Sequence, residues 1–312
     1  MSPSESMSTS RPIPEVAATA AAVPSLGRDL WEMAKPRLTG LVLVTTGVGY
    51  FLGLPLASAG SWIALLATLV GTGLVSAAAS VLNQLAEREY DQRMLRTADR
   101  PLAAGRLQGW AAGLYALLAS FIGLSLLCIE SGHIAAGIAL TTLWIYVAVY
   151  TPLKRRSAAN TLVGAVSGAL PPLIGWTAAG APLNAGAISL FLILFVWQIP
   201  HFLAIAVLYR DDYARGGYRM LPVGEGGLER TAKTARRYSA FFIPVALLPS
   251  FVGLGGIAYG IGALLLSGWF LKVTMRFSSE PTRERARSLF LASIAVLPAL
   301  LILLCADAAV GR

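Results

Sequence analysis

Apolar runs close to twenty residues long recur along the chain, separated by short polar or Gly/Pro-rich stretches. A helix rises about 1.5 Å per residue, so about 20 apolar residues cross a hydrocarbon core of about 30 Å. The pattern predicts nine spanning helices, over 38–56, 61–85, 109–128, 132–150, 160–179, 185–208, 238–254, 257–274 and 287–307. The uncharged stretch between Tyr238 and Lys272 is too long for one helix, and Gly253, Gly255 and Gly256 at its centre mark a turn.

The positive charges follow the same count. Every Lys and Arg except Arg312 falls in the N-terminal arm or in, or at the edges of, the loops after the second, fourth, sixth and eighth segments. Such one-sidedness places the N-terminus and those loops in the cytoplasm and the C-terminus outside. Residues 1–34 read as a flexible cytoplasmic tail and 35–312 as the nine-helix domain. Residues 1–27 lack both the apolar core of a signal peptide and the arginines of a transit peptide, which favours a bacterial inner membrane.

Composition agrees. Of 312 residues, 56% are hydrophobic and 13% charged, against about 25% charged in a soluble domain. Mean hydropathy is +0.66. An ordinary soluble enzyme and a disordered chain are both excluded, and the lipid bilayer is the first partner. The net charge of +9 is accounted for by topology, so no nucleic-acid partner is expected. Cys128 and Cys305 lie inside apolar runs and suggest neither a disulfide framework nor a metal cluster.

Ionisable groups beside a membrane segment are costly and usually functional. The stretch NQLAEREYDQRMLRTADRPL, 83–102, places Asn83, Glu87 and Asp91 four residues apart. Successive members then project within about 40° of one another on a helix. Three oxygen donors among Arg88, Arg93, Arg96 and Arg100 suit Mg²⁺ and a diphosphate. Acids and arginines pairing at a solvated helix end is the alternative. A second block, YTPLKRRSAAN at 150–160, carries Lys154, Arg155 and Arg156, which by themselves are also what topology requires. A third, 197–222, holds His201, Asp211, Asp212, Arg215 and Arg219. A lone membrane histidine is as readily a packing residue as a ligand, and His133 reads as interfacial. All three blocks fall on the cytoplasmic side, as one polar chamber would require.

In this order, NxxxExxxD with RTxxRPL, YTxxKRR and WQIPHF…DDYARGGYRMLP, the motifs resemble those of the UbiA-type intramembrane prenyltransferases over about residues 35–305. The last phrase resembles the branch that farnesylates heme b. The resemblance implies an all-α polytopic membrane protein with nine transmembrane helices in a UbiA-like bundle. It implies transfer of a farnesyl group from farnesyl diphosphate to heme b, with Mg²⁺ as cofactor. Asn83, Glu87 and Asp91 would hold metal and diphosphate. Asp211 and Asp212 would add ligands from the second acidic region, Asp212 being catalytic, although Gly216 stands where the superfamily often has another aspartate. Arg88, Arg96, Arg100, Lys154, Arg155 and Arg215 would contact the diphosphate. His201, a polar group near the expected chamber, is expected to contact heme. A heme A synthase or terminal oxidase subunits are the protein partners suggested. The alternatives are an aromatic-acid or quinone-precursor acceptor, a transporter, or a non-catalytic oxidase assembly factor.

Overall fold

The computed structural model describes residues 25–55 and 60–310. Every regular element among them is helical. The elements are α1 (Leu26–Met33), α2 (Pro36–Gly53), α3 (Trp62–Asp91), α4 (Gly109–Glu130), α5 (His133–Leu153), α6 (Asn160–Ala178), α7 (Ala185–Leu208), α8 (Arg210–Arg215), α9 (Gly227–Phe251), α10 (Ile257–Ser279) and α11 (Arg283–Val310). Seven of these, α3 to α7 with α10 and α11, are long and apolar enough to cross a membrane. The first and seventh predicted segments fall on α2 and α9. The latter begins eleven residues before its apolar part, in a stretch carrying Glu229, Arg230, Lys233, Arg236 and Arg237. The turn expected between α9 and α10 is present, with Gly253 at φ +76°.

The tail expected over 1–34 needs correction at its end; residues 1–24 lie outside the described residues. Ser25 caps α1, its Oγ accepting from Arg28 N. Asp29 on α1 pairs with Arg106 at 3.1 Å, and Gln84 Nε2 donates to the Met33 carbonyl at 2.8 Å. These long-range contacts hold a short segment in helix that its own length could not sustain.

Small residues set the helix spacing. A Cβ on Gly71 would lie 2.9 Å from the Gly123 carbonyl oxygen, so α3 and α4 touch backbone to backbone. A Cβ on Gly49 would run into the Pro172 carbonyl oxygen, and one on Gly175 into that of Thr46. Close approach of this kind is the main packing device between helices in lipid. Gly175→Val is therefore expected to destabilise the fold by on the order of 3 kcal/mol or more, read as a large fall in melting temperature in detergent. An unchanged melt would show that α2 and α6 can separate.

Two irregularities shape the interior. α6 breaks at Leu170, just before Pro171 and Pro172. α5 widens into a π-helical turn over Ile145–Tyr150, directly before Pro152, whose ring crowds the preceding turn and lacks an N–H. The apolar core gathers around α7, where Leu190, Ile193, Leu194 and Leu203 are buried against α9 and α11. Helices α2, α3, α5 and α6, with α7, also line an interior space.

Candidate active site

α3 runs six residues past the end of its predicted apolar segment, and Glu87 and Asp91 lie on the extension. Asn83, Glu87 and Asp91 are all buried on one face, with 1%, 4% and 1% of their surface exposed. Arg88, one residue further round from Glu87, is exposed on the other side. A cavity of about 150 Å³ opens against the acidic face, lined by all three residues with Lys35, Arg96, Arg100 and Lys154. Tyr146, Tyr150, Tyr213 and Tyr218 complete much of its wall.

Inside, each acid has a cation. Glu87 lies 2.7 Å from Lys154 Nζ, and Asp91 Oδ2 lies 2.7 Å from Arg100 Nη1. Lys35 Nζ donates to Asn83 Oδ1 at 3.2 Å, while Asn83 Nδ2 donates to Thr151 Oγ1 at 3.1 Å. Asp91 Oδ1 is buried and accepts no hydrogen bond. An orphaned carboxylate oxygen in the interior is costly unless a ligand completes it. Among the described residues no cluster of three or more His, Cys, Asp or Glu could enclose a metal. Two buried carboxylates and one orphaned oxygen fit Mg²⁺, which takes one or two protein carboxylates and draws its other ligands from phosphate and water.

The cations outnumber the acids. Burial of the Lys35 ammonium, with Arg100 and Lys154 facing it, pushes its pKa down to about 7. For Lys154 burial works against the charge, but Glu87 more than offsets it and the pKa is raised. Burial pushes the Tyr218 phenol up, and the Glu87 and Asp91 carboxylates add to this. The cavity thus presents positive charge and hydroxyls to whatever enters it.

A second, apolar cavity of about 130 Å³ reaches into the bundle, lined by Val42, Val75, Leu143, Ile174 and Phe202 among others. Tyr146, on the π-helical turn, lines both cavities. The polar cavity and the apolar one thus share a wall at Tyr146.

Several sequence expectations change. Asp212 Oδ1 accepts from Leu95 N at 3.2 Å and pairs with Arg215 three residues on, and Asp211 is exposed. Neither lines the cavity, so the geometry does not assemble them with Asn83, Glu87 and Asp91 as metal ligands. Arg155 donates to the Tyr90 hydroxyl at 2.9 Å and stacks over that ring. His201 also falls outside both cavities. Its ring stacks between Trp197 and Phe290, and Nδ1 is 2.7 Å from Ser293 Oγ. These contacts turn it toward α11, so its assignment as a heme contact loses the proximity that motivated it.

Lys35 and the four tyrosines were not picked out by the sequence. One signal pointed to Lys35 only in structure: among the described residues it is the one non-glycine with positive φ, at 49°. Such strain costs about 1–3 kcal/mol and tends to accumulate at functional sites.

Comparison with known proteins agrees with this architecture. Residues 42–294 match the model of the UbiA prenyltransferase family. The chain is 44% identical over 280 residues to the protoheme IX farnesyltransferase of Solibacter usitatus (strain Ellin6076), covering 87% of this chain and 95% of that one. It superposes with TM-score 0.76 at 16% identity on a digeranylgeranylglyceryl phosphate synthase structure, covering 90% of this chain and 97% of that one. A UbiA homolog from Archaeoglobus fulgidus bound to GPP and Mg²⁺ superposes with TM-score 0.63 at 16% identity, covering 88% and 99% of the two chains.

Proposed function

This integral membrane protein belongs to the UbiA prenyltransferase family, and we propose that it transfers the farnesyl group of farnesyl diphosphate to the vinyl group of heme b, giving heme O and diphosphate. The observation that carries the reading is the pairing of a cation-rich head with an apolar pocket across Tyr146. That shape suits an amphiphile with a diphosphate head and an isoprenoid tail. The heme acceptor is supported by the 44% identity to a protoheme IX farnesyltransferase.

In this reading Lys35, Lys154, Arg96 and Arg100 receive the diphosphate oxygens. Asn83, Glu87 and Asp91 would hold Mg²⁺, and Asp91 Oδ1 is the oxygen left open for it. Bound there, the ion would neutralise charge building on the leaving diphosphate. Cleavage of the C1–O bond sends its electron pair to the diphosphate and leaves an allylic cation. Tyr146 and Tyr150, whose ring centroids lie 5.2 Å apart, offer aromatic surface to that cation. The apolar lining keeps water from quenching it. The terminal vinyl carbon of heme b forms the new C–C bond. Water then adds at the neighbouring carbon and releases a proton, leaving a hydroxyethylfarnesyl group. The concentration of basic residues at this end supports a cytoplasmic opening, in a bacterial inner membrane, with heme O passed to terminal oxidase assembly.

The test uses purified protein in detergent with heme b, farnesyl diphosphate and Mg²⁺, and mass analysis of extracted heme. The expected result is heme O, absent when EDTA is added. Unchanged heme with a prenylated aromatic acid in parallel reactions would overturn the acceptor. No transfer to any acceptor would overturn the enzyme reading.

A further inference from the structure

The chain reverses after α8 at Gly217, φ +72°, a conformation suited to glycine. Tyr218 N then donates to the Tyr213 carbonyl at 2.9 Å. The next residue fastens the segment to the opposite wall: Arg219 N donates to the Lys154 carbonyl at 2.8 Å, and Asn160 Nδ2 to the Arg219 carbonyl at 3.3 Å. Between these anchors the Tyr218 side chain enters the polar cavity. The residue is 3% exposed, its ring lies 5.7 Å from Lys154 Nζ, and it packs with Met94, Ala206 and Met220.

Its hydroxyl is buried and makes no hydrogen bond of good geometry, although the Glu87 carboxylate lies close enough to act on it. A phenylalanine would fill the same apolar contacts without that cost, so the hydroxyl calls for a ligand. We propose that Tyr218 is a catalytic residue whose phenol donates a hydrogen bond to the diphosphate of the prenyl substrate as it leaves. The inference rests on the prenyl-transfer reading of the cavity but not on the identity of the acceptor. As the C1–O bond breaks, its electron pair goes to the diphosphate oxygen; the phenol shares its hydrogen with the diphosphate, and the proton stays on Tyr218. The backbone anchors on both sides fix the donor before the substrate arrives, so it needs no reorganisation during the step.

The test compares wild type with Tyr218→Phe, full chain in detergent, by titration with inorganic pyrophosphate and Mg²⁺ and by turnover. Pyrophosphate affinity and kcat are each expected to fall about 10–100-fold, with an unchanged melting temperature and unchanged heme b binding in the Soret band. Wild-type affinity for pyrophosphate with full turnover would overturn the proposal. So would equal losses of heme and pyrophosphate binding with a lowered melt, which would make the tyrosine structural. Should wild type bind pyrophosphate and leave heme unmodified, the acceptor reading fails, and the titration still decides the role of Tyr218.

Discussion

Asp91→Asn is expected to lower turnover by about 10²–10³-fold, the range seen when a group stabilising developing charge is removed. The substitution preserves size, so the side chain should still fit where 1% of Asp91 is exposed. What disappears is the negative charge. Oδ1 is the oxygen that nothing in the protein satisfies, and Oδ2 is the counter-charge to Arg100 at 2.7 Å. Loss of the ion pair frees Arg100, which strengthens the positive field around the diphosphate. Ground-state binding of farnesyl diphosphate should therefore hold or tighten while kcat collapses, because the lost interaction belongs to the transition state. Raising Mg²⁺ should recover part of the rate. Turnover within about threefold of wild type at ordinary Mg²⁺ would remove Asp91 from the metal site.

Lys154→Met carries the second large effect, and it acts on both stability and substrate. Lys154 and Glu87 side chains are 12% and 5% exposed, so removing the ammonium leaves a buried, uncompensated carboxylate. Breaking a buried pair this way costs about 3–5 kcal/mol. The same ammonium is a main cation available to the diphosphate, and hydrogen bonds to charged groups contribute about 1.5–3 kcal/mol. A double variant, Lys154→Met with Glu87→Gln, separates the two. It should regain much of the melting temperature, since the stranded charge is gone, yet remain inactive and bind pyrophosphate weakly. If the double variant also regained activity, Lys154 would serve only to neutralise Glu87.

The sixth predicted segment, 185–208, and α7, Ala185–Leu208, coincide because both ends are polar and no competing signal intrudes. Ends were harder where a helix leaves the membrane without stopping. α3 runs on to Asp91 and α9 begins at Gly227 because polar residues prolong these helices beyond their apolar cores. The face shared by Asn83, Glu87 and Asp91 was legible, since a spacing of four on a helix depends on nothing outside it. The burial of that face was not. Asp211 and Asp212 looked equally suited to a metal by residue type, but α8 directs Asp212 to Leu95 N and Arg215. The π-helical turn that brings Tyr146 and Tyr150 to the cavity arises where α5 accommodates Pro152, and nothing in the order of residues marks its outcome.

By itself, then, the sequence determined what is local or one-dimensional: the apolar segments, the gathering of the charges into alternate loops, and the shared helix face of the acidic triplet. These follow from hydrocarbon thickness, helical periodicity and the cost of moving a cation across lipid. The tertiary structure alone decided which groups meet. Lys35 reaches Asn83 from 48 positions away and Lys154 reaches Glu87 from 67, while His201 turns toward α11. Rotation and spacing of packed helices settle such meetings, through contacts as specific as Gly49 against Pro172, and those are properties of pairs of segments rather than of either one.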